Sequence, residues 1–408
     1  MDGIRMRPAR RRLLLALALW WWPGSRAAAQ AADLRGSPER EAGVDPDIRP
    51  GDDFFGFANG GWLRTAAIPA DRELWSARTE IGELTSQQIG KLLDDAGAQP
   101  AGSLARKVAD FRAAYLNEAA IEARGIAPLR PLLDSIDRVR DTAALTRLLG
   151  RQLGADVDPL NWGIYRSSHL LGLSVEQSIH GEKSYVAFLL QGGLGLPDRE
   201  NYVSDEPRMT AIRARYQEYI GRLMALAGFD RADERARAVM ALETAMAGGQ
   251  ATREASANDH NADTLWTRAD FAREAPGMDW SAFFAAAGLA RQDAFGVWQP
   301  GAMRTLAALV GSEPLETWKD YLRFHALHAE ADVLPRAFSD EALALQAAVT
   351  GRPDTSPRAQ RALEATQTAL SDALGRMYAE RHFPAEQKTR SEERRVGKEC
   401  RSRWSPYH

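Results

Sequence analysis

The chain has 408 residues, with 52 Lys+Arg against 55 Asp+Glu, a formal net charge of −3, and Gly (33) and Pro (20) at ordinary frequencies. With 45% of its residues hydrophobic, it is neither collagen, nor a disordered tail, nor a low-complexity polymer. A mean hydropathy of −0.38 excludes a multi-span membrane protein, and the single cysteine, Cys400, excludes an internal disulfide framework, which leaves a soluble globular chain of about two domains.

Residues 1–29 read as a secretory signal. Arg5, Arg7, Arg10, Arg11 and Arg12 form a basic start, Leu13–Trp22 an apolar middle of ten residues, and Ala27-Ala28-Ala29 a small-residue cleavage site. Ten apolar residues reach about half of a bilayer, so no membrane span is expected once the signal is removed. Residues 30–42 read as a linker. Asp52-Asp53 stands ahead of Phe54-Phe55, where adjacent acids cap a helix and complement its dipole. Phe54, Phe55, Phe57 and Trp62 suggest a dense aromatic cluster, with Asn59-Gly60-Gly61 as a sharp turn inside it.

Helical stripes follow. Leu104, Val108, Phe111 and Tyr115 share one face, and Asp141-Thr142 caps a helix over Ala143–Leu153. The stretch from Asn161 to Leu190 is richer in Tyr, Val, Ile and Leu, and predicts a small hairpin with turns at His180-Gly181 and Gly192-Gly193. Met209, Ile212, Tyr216, Ile220 and Leu223 line a helix that starts near Asp205 and stops at Gly228. Ala251–Asp263, polar and rich in Ala, Asn and Asp, predicts an exposed loop. Leu315, Trp318, Leu322, His325 and Ala329 line a helix opened by Glu313-Pro314 and closed before Pro335. Leu363, Gln367, Leu370, Leu374 and Met377 mark one long helix after Pro357. The fold class is therefore mainly α, a multi-helical body with a small β-hairpin.

Arg390–His408, RSEERRVGKECRSRWSPYH, has no helical periodicity and resembles the conceptual translation of a sequencing-library adapter. The expectation is an artefactual tail beyond a native frame that continues past Thr389. Cys400 and His408 then carry no functional weight. Without the signal and this tail, 40 basic and 51 acidic residues remain, a net charge of −11. An acidic body has no electrostatic footprint for nucleic acid.

No catalytic signature stands out. A zinc peptidase helix of the H-E-x-x-H type sets two imidazoles one turn apart with a glutamate between them, and the chain has no such motif. The nearest approach, His325-Ala-Leu-His328-Ala-Glu330, has a three-residue spacing; it reads as one packed histidine and one boundary histidine. There is no G-x-S-x-G elbow, and Gly192-Gly193-Leu194-Gly195 lacks the lysine of a phosphate loop, so it reads as a tight turn. No catalytic, cofactor-binding or metal-ligating residue is assigned.

Five blocks nevertheless carry a resemblance. Pro50–Leu63 (PGDDFFGFANGGWL), followed by Ile68-Pro69 and Trp75, resembles the start of neprilysin-type zinc metallopeptidases. Gln191–Tyr202 (QGGLGLPDRENY), Ala241–Ala245 (ALETA), Asp279-Trp280 and Gly375–Phe383 (GRMYAERHF) continue it in the same order, over roughly residues 43–389. The Glu200-Asn201-Tyr202 end departs slightly, because the family more often has an acid and two tyrosines. The resemblance implies a two-lobed, mainly helical, exported peptidase of the periplasm or extracellular space, with zinc ligands and general base in a C-terminal lobe. This chain would be its cap-like, substrate-enclosing lobe plus the start of a catalytic lobe that is otherwise missing. It would be inactive alone, with zinc and peptide substrates belonging to the full-length parent. Some animal members hold the substrate carboxylate with an arginine near the Trp75 turn; Leu74 and Gly82 stand there, so that role is not transferred. The competing expectation is a non-catalytic helical binding or scaffold protein of the periplasm.

Overall fold

The computed structural model describes residues 43–68, 75–155, 167, 169–178, 184–258, 264–353 and 356–383. The predicted signal, the linker, the His180-Gly181 turn and the adapter-like tail lie outside these residues. The chain divides into two compact units, Met1–Leu92 and Leu93–His408.

The first unit is built around α1 (Phe54–Thr65) and contains most of α2 (Ala77–Ala96). As the paired acids predict, the Asp53 carboxylate accepts the Gly56 N–H at 2.8 Å and caps α1. Asn59-Gly60-Gly61 does not form a turn; all three residues lie inside the helix. The glycines are there for close approach instead. The strap Gly43–Ile48 lies against α1: Asp45 donates its N–H to Phe57 C=O at 2.8 Å, and Gly61 donates to Gly43 C=O at 3.1 Å. A Cβ on Gly60 would sit 2.7 Å from the Asp45 Cβ, so no larger residue lets the strap in. Among the described residues, the expected aromatic cluster reduces to one tilted ring pair, Phe54 and Phe57, with centroids 6.4 Å apart. Phe54 and Phe55 are 70% and 67% exposed, and their neighbours Phe57 and Trp62 are half-buried.

The second unit opens with four helices, α3 (Leu104–Leu116), α4 (Glu118–Arg124), α5 (Arg130–Asp137) and α6 (Thr142–Gln152). Asp141 caps α6 as predicted, accepting the Ala144 N–H at 2.7 Å. Then come β1 (Leu171–Gln177), β2 (Tyr185–Gln191), α7 (Glu200–Val203), α8 (Pro207–Leu226), α9 (Ala232–Gly249) and α10 (Arg253–Ser256). The stripe read from sequence is the buried face of α8, where Ile212, Tyr216, Ile220 and Leu223 are almost wholly enclosed. This helix stops where Gly228 turns left-handed (φ 84°) and the Phe229 N–H reaches back to Met224 C=O at 3.0 Å. β3 (Leu265–Thr267), α11 (Arg268–Glu274), α12 (Trp280–Ala286), β4 (Ala294–Val297), α13 (Pro300–Ser312), α14 (Leu315–Ala329), α15 (Arg336–Thr350), α16 (Arg358–Ala369) and α17 (Ser371–His382) complete it.

The predicted hairpin is present, with β1 and β2 antiparallel from Leu171↔Gln191 to Gln177↔Tyr185. It belongs to a four-stranded sheet ordered β1-β2-β4-β3, in which β4 runs parallel to β2 and β3 antiparallel to β4. Within the predicted Ala251–Asp263 loop, residues 253–256 form α10 and Ser256 is buried. The single helix expected after Pro357 is two helices that break at Leu370 (φ −128°, ψ 35°). One turn earlier the Thr366 hydroxyl donates to Ala362 C=O at 2.6 Å, a back-bond of the kind that bends helices. The core of this unit is continuous and aromatic: Tyr216, Phe271, Phe284, Phe295, Trp318 and Phe324 are fully buried, and the Phe284 and Phe295 rings stack at 4.2 Å.

Candidate functional site

Helix α9 buries Ala236, Val239, Met240, Met246 and Ala247 on one face, and Glu243 lies in the middle of that apolar stripe. Its side chain is wholly enclosed. An isolated carboxylate there would be prohibitively costly, so its donors must come from neighbouring elements. Oε2 accepts from the Tyr202 hydroxyl of α7 at 2.5 Å, from the Tyr216 hydroxyl of α8 at 2.9 Å and from the Gly195 N–H at 3.2 Å. Oε1 accepts from Nε2 of His325, on α14, at 2.8 Å. Burial first, and the Glu243 charge second, push the Tyr202 and Tyr216 hydroxyls well above their ordinary value, so both remain protonated donors.

The same cluster holds the segment between β2 and α7. Leu196 donates its N–H to the Tyr202 hydroxyl at 2.9 Å, and the Tyr321 hydroxyl donates to Gly193 C=O at 2.8 Å. Gly193 adopts φ 81°, which fits the predicted turn, and a Cβ on Gly195 would run into the Tyr216 hydroxyl. Gln250 closes the far side, donating Nε2 to Gly192 C=O at 2.7 Å. Four helices thus converge on one loop.

This geometry decides what the two histidines can do. His325 is spent on Glu243, and His328 shares a hydrogen bond of 2.9 Å between Nδ1 and the Tyr219 hydroxyl. Their rings lie 6.3 Å apart and nearly perpendicular, and among the described residues no group of three or more His, Cys, Asp or Glu is placed to hold a metal. The donor set does not fit a catalytic zinc, which takes three protein ligands and an open position. Glu243 is equally unsuited to general-base work, because its oxygens are filled and no substrate proton can come within reach. Asp53, of the Asp52-Asp53 pair, is a helix cap. Cys400 lies outside the described residues.

An open cavity of about 450 Å³ adjoins the loop, lined among others by Gln250, Ala251, Thr264, Trp298, Gln299 and Pro300. None of its described lining residues is charged. The Gln299 side chain is committed to the fold, accepting from the Gln191 N–H at 3.0 Å and donating to the Ser256 hydroxyl at 3.3 Å. Its described lining can enclose an uncharged group and offers no acid or base among the described residues. Sequence reading missed Glu243, Tyr202 and Tyr216 as a unit; the available signal was a carboxylate on an apolar helical stripe.

Comparison with known proteins places the whole arrangement. The model of peptidase family M13 matches residues 50–394. Human endothelin-converting enzyme-like 1 is 30% identical over 250 residues, which are 58% of this chain and 32% of that protein. Rat endothelin-converting enzyme 1 is 22% identical over 352 residues, 85% of this chain and 46% of that protein. The structure of Mycobacterium tuberculosis zinc metalloprotease Zmp1 in its open state matches with a TM-score of 0.71 at 29% identity, covering 85% of this chain and 53% of that one. PepO from Lactobacillus rhamnosis HN001 shares the fold at 16% identity, with a TM-score of 0.64. The chain spans between a third and about half of the length of these relatives.

Proposed function

This chain belongs to peptidase family M13, and from that premise we propose that it is the N-terminal, substrate-enclosing part of an exported zinc peptidase that acts on oligopeptides. The neprilysin-type resemblance read from the five blocks agrees with this membership. The observation that carries the proposal is the mismatch in length: the family match fills the body of the chain, yet the chain covers only 53% of Zmp1. The zinc ligands and the general base are assigned to the remaining half of a longer parent. The donor chemistry around Glu243 supports that assignment, since its acceptors and both imidazoles are already occupied. No step of peptide cleavage is given to a residue of this chain, and the chain alone is inactive in this reading.

Residues 1–29 act as the export signal, residues 43–389 form the peptidase region, and the last 19 residues are not native. No helix among the described residues is long and apolar enough to cross a membrane, which is compatible with release after signal cleavage. Resequencing the locus through Thr389 tests the proposal. The expected result is an open frame that continues to H-E-x-x-H and whose product hydrolyses an internally quenched peptide until a chelator is added. A native stop near Thr389 would instead favour the scaffold reading.

A further inference from the structure

β2 and β4 run parallel, and the cavity of about 450 Å³ lies beyond their carboxyl ends. Trp298 and Gln299, just past β4, form one side of it, and Gly249, Gln250 and Ala251, at the end of α9, form another. Parallel strands followed by helices place their ligands outside the carboxyl ends, and the volume is that of a small-ligand site. The walls are fastened by buried carboxamides. Gln191 donates Nε2 to Ala251 C=O at 3.1 Å and accepts the Ala251 N–H on Oε1 at 2.8 Å, while Trp298 Nε1 donates to Ser256 C=O at 2.9 Å. With the bonds of Gln299 to Gln191 and Ser256, these tie the α9–α10 connection to the ends of both strands. A crevice held this way is shaped before anything enters it.

Two main-chain groups of the lining are left over. Among the described residues, neither the Gly249 C=O nor the Gly301 N–H has a hydrogen-bond partner. They lie close together, since a Cβ on Gly301 would sit 3.2 Å from the Gly249 oxygen. One acceptor and one donor match the N–H and C=O of a peptide main chain. No described lining residue is charged, so a phosphate, a carboxylate or a chain terminus would enter without a counter-charge. We propose that this cavity binds a short, uncharged interior stretch of an oligopeptide, whose main chain pairs with Gly249 and Gly301. That the peptide is drawn from peptidase substrates rests on the function proposed above; the chemistry of the cavity does not.

The probe is acetyl-Ala-Leu-Ala-amide, titrated into the 408-residue chain and followed by amide hydrogen exchange with peptide mass spectrometry. Exchange over residues 249–255 and 298–302 should slow saturably. Acetyl-Ala-Asp-Ala-amide and acetyl-Ala-Lys-Ala-amide should bind about ten times more weakly or worse. Gly301 is exposed, so Gly301→Leu should leave melting unchanged while it narrows the crevice, and should weaken the neutral probe by about tenfold or more. If that variant fails to fold, the charged probes decide alone. No saturable protection, protection confined to other segments, equal binding by Gly301→Leu, or equal binding of the charged probes overturns the proposal. An active full-length parent whose residues 249–255 and 298–302 gain no protection refutes this site and leaves the peptidase reading standing. A frame that closes near Thr389 overturns the peptidase reading, and protection of these segments by the neutral probe then still upholds the site.

Discussion

In the first unit α1 turns Gly56 and Gly60 inward and Phe54 and Phe55 to water, whereas in the second unit α9 carries a carboxylate into the middle of the core. Both violate simple amphipathic patterning, in opposite directions. The buried Glu243 obliges the chain to bring its own donors, and it does so from α7, α8, α14 and the β2–α7 segment. A region that satisfies its own exception is self-sufficient. Among the described residues, Phe54 and Phe55 of α1 stay exposed and have no such internal remedy. The contrast sets a buried polar centre with its own donors against an apolar helix face left exposed within one polypeptide.

The strongest way to break the locked half is to remove its carboxylate. Glu243→Leu strands two tyrosine hydroxyls, the His325 imidazole and the Gly195 N–H, and should cost about 3–5 kcal/mol in urea unfolding, as for other buried pairs broken on one side. A loss under about 1 kcal/mol would mean that the cluster does not hold the loop.

Acid should act on the same cluster more gently. His328 is held down to about 4, by burial first and by the nearby His325 second, against the pull of Glu243. The unfolded chain takes up that proton near 6.5, so between about 6.5 and 4 the unfolded state binds more protons and stability falls with falling pH. The contribution is fully present above 6.5, and up to about 3 kcal/mol of it is lost on reaching 4. Urea midpoints measured across that window should drop less steeply for His328→Gln than for the wild type. Parallel slopes would show that His328 is not the group being charged.

Much of this architecture is legible in the sequence, for reasons that differ by element. The α8 stripe and the Asp53 and Asp141 caps follow from local periodicity and local hydrogen bonding, so they read correctly. α14 is present but buried well beyond its predicted stripe, with Lys319, Tyr321, Arg323, Phe324 and Leu327 enclosed and Ala329 exposed. β3 and β4 do not read correctly, because three or four residues are too few to show alternation and their pairing partners are distant. Gly60 and Gly61 mislead because a close backbone approach and a turn ask for the same residue. The Glu243 centre is non-local, drawing on positions 195, 202, 216 and 325. The family-like blocks Gln191–Tyr202 and Ala241–Ala245 flag two of its parts without revealing that they meet.

Zinc content is the most direct test of the claim that catalysis lies outside this stretch. The purified 408-residue chain would be equilibrated with zinc, freed of excess by gel filtration, and its metal counted per chain by mass spectrometry. Retention far below stoichiometric, with no chelator-sensitive hydrolysis of a fluorogenic peptide, is the predicted result. A stoichiometric, tightly held zinc with turnover that a chelator abolishes would contradict it.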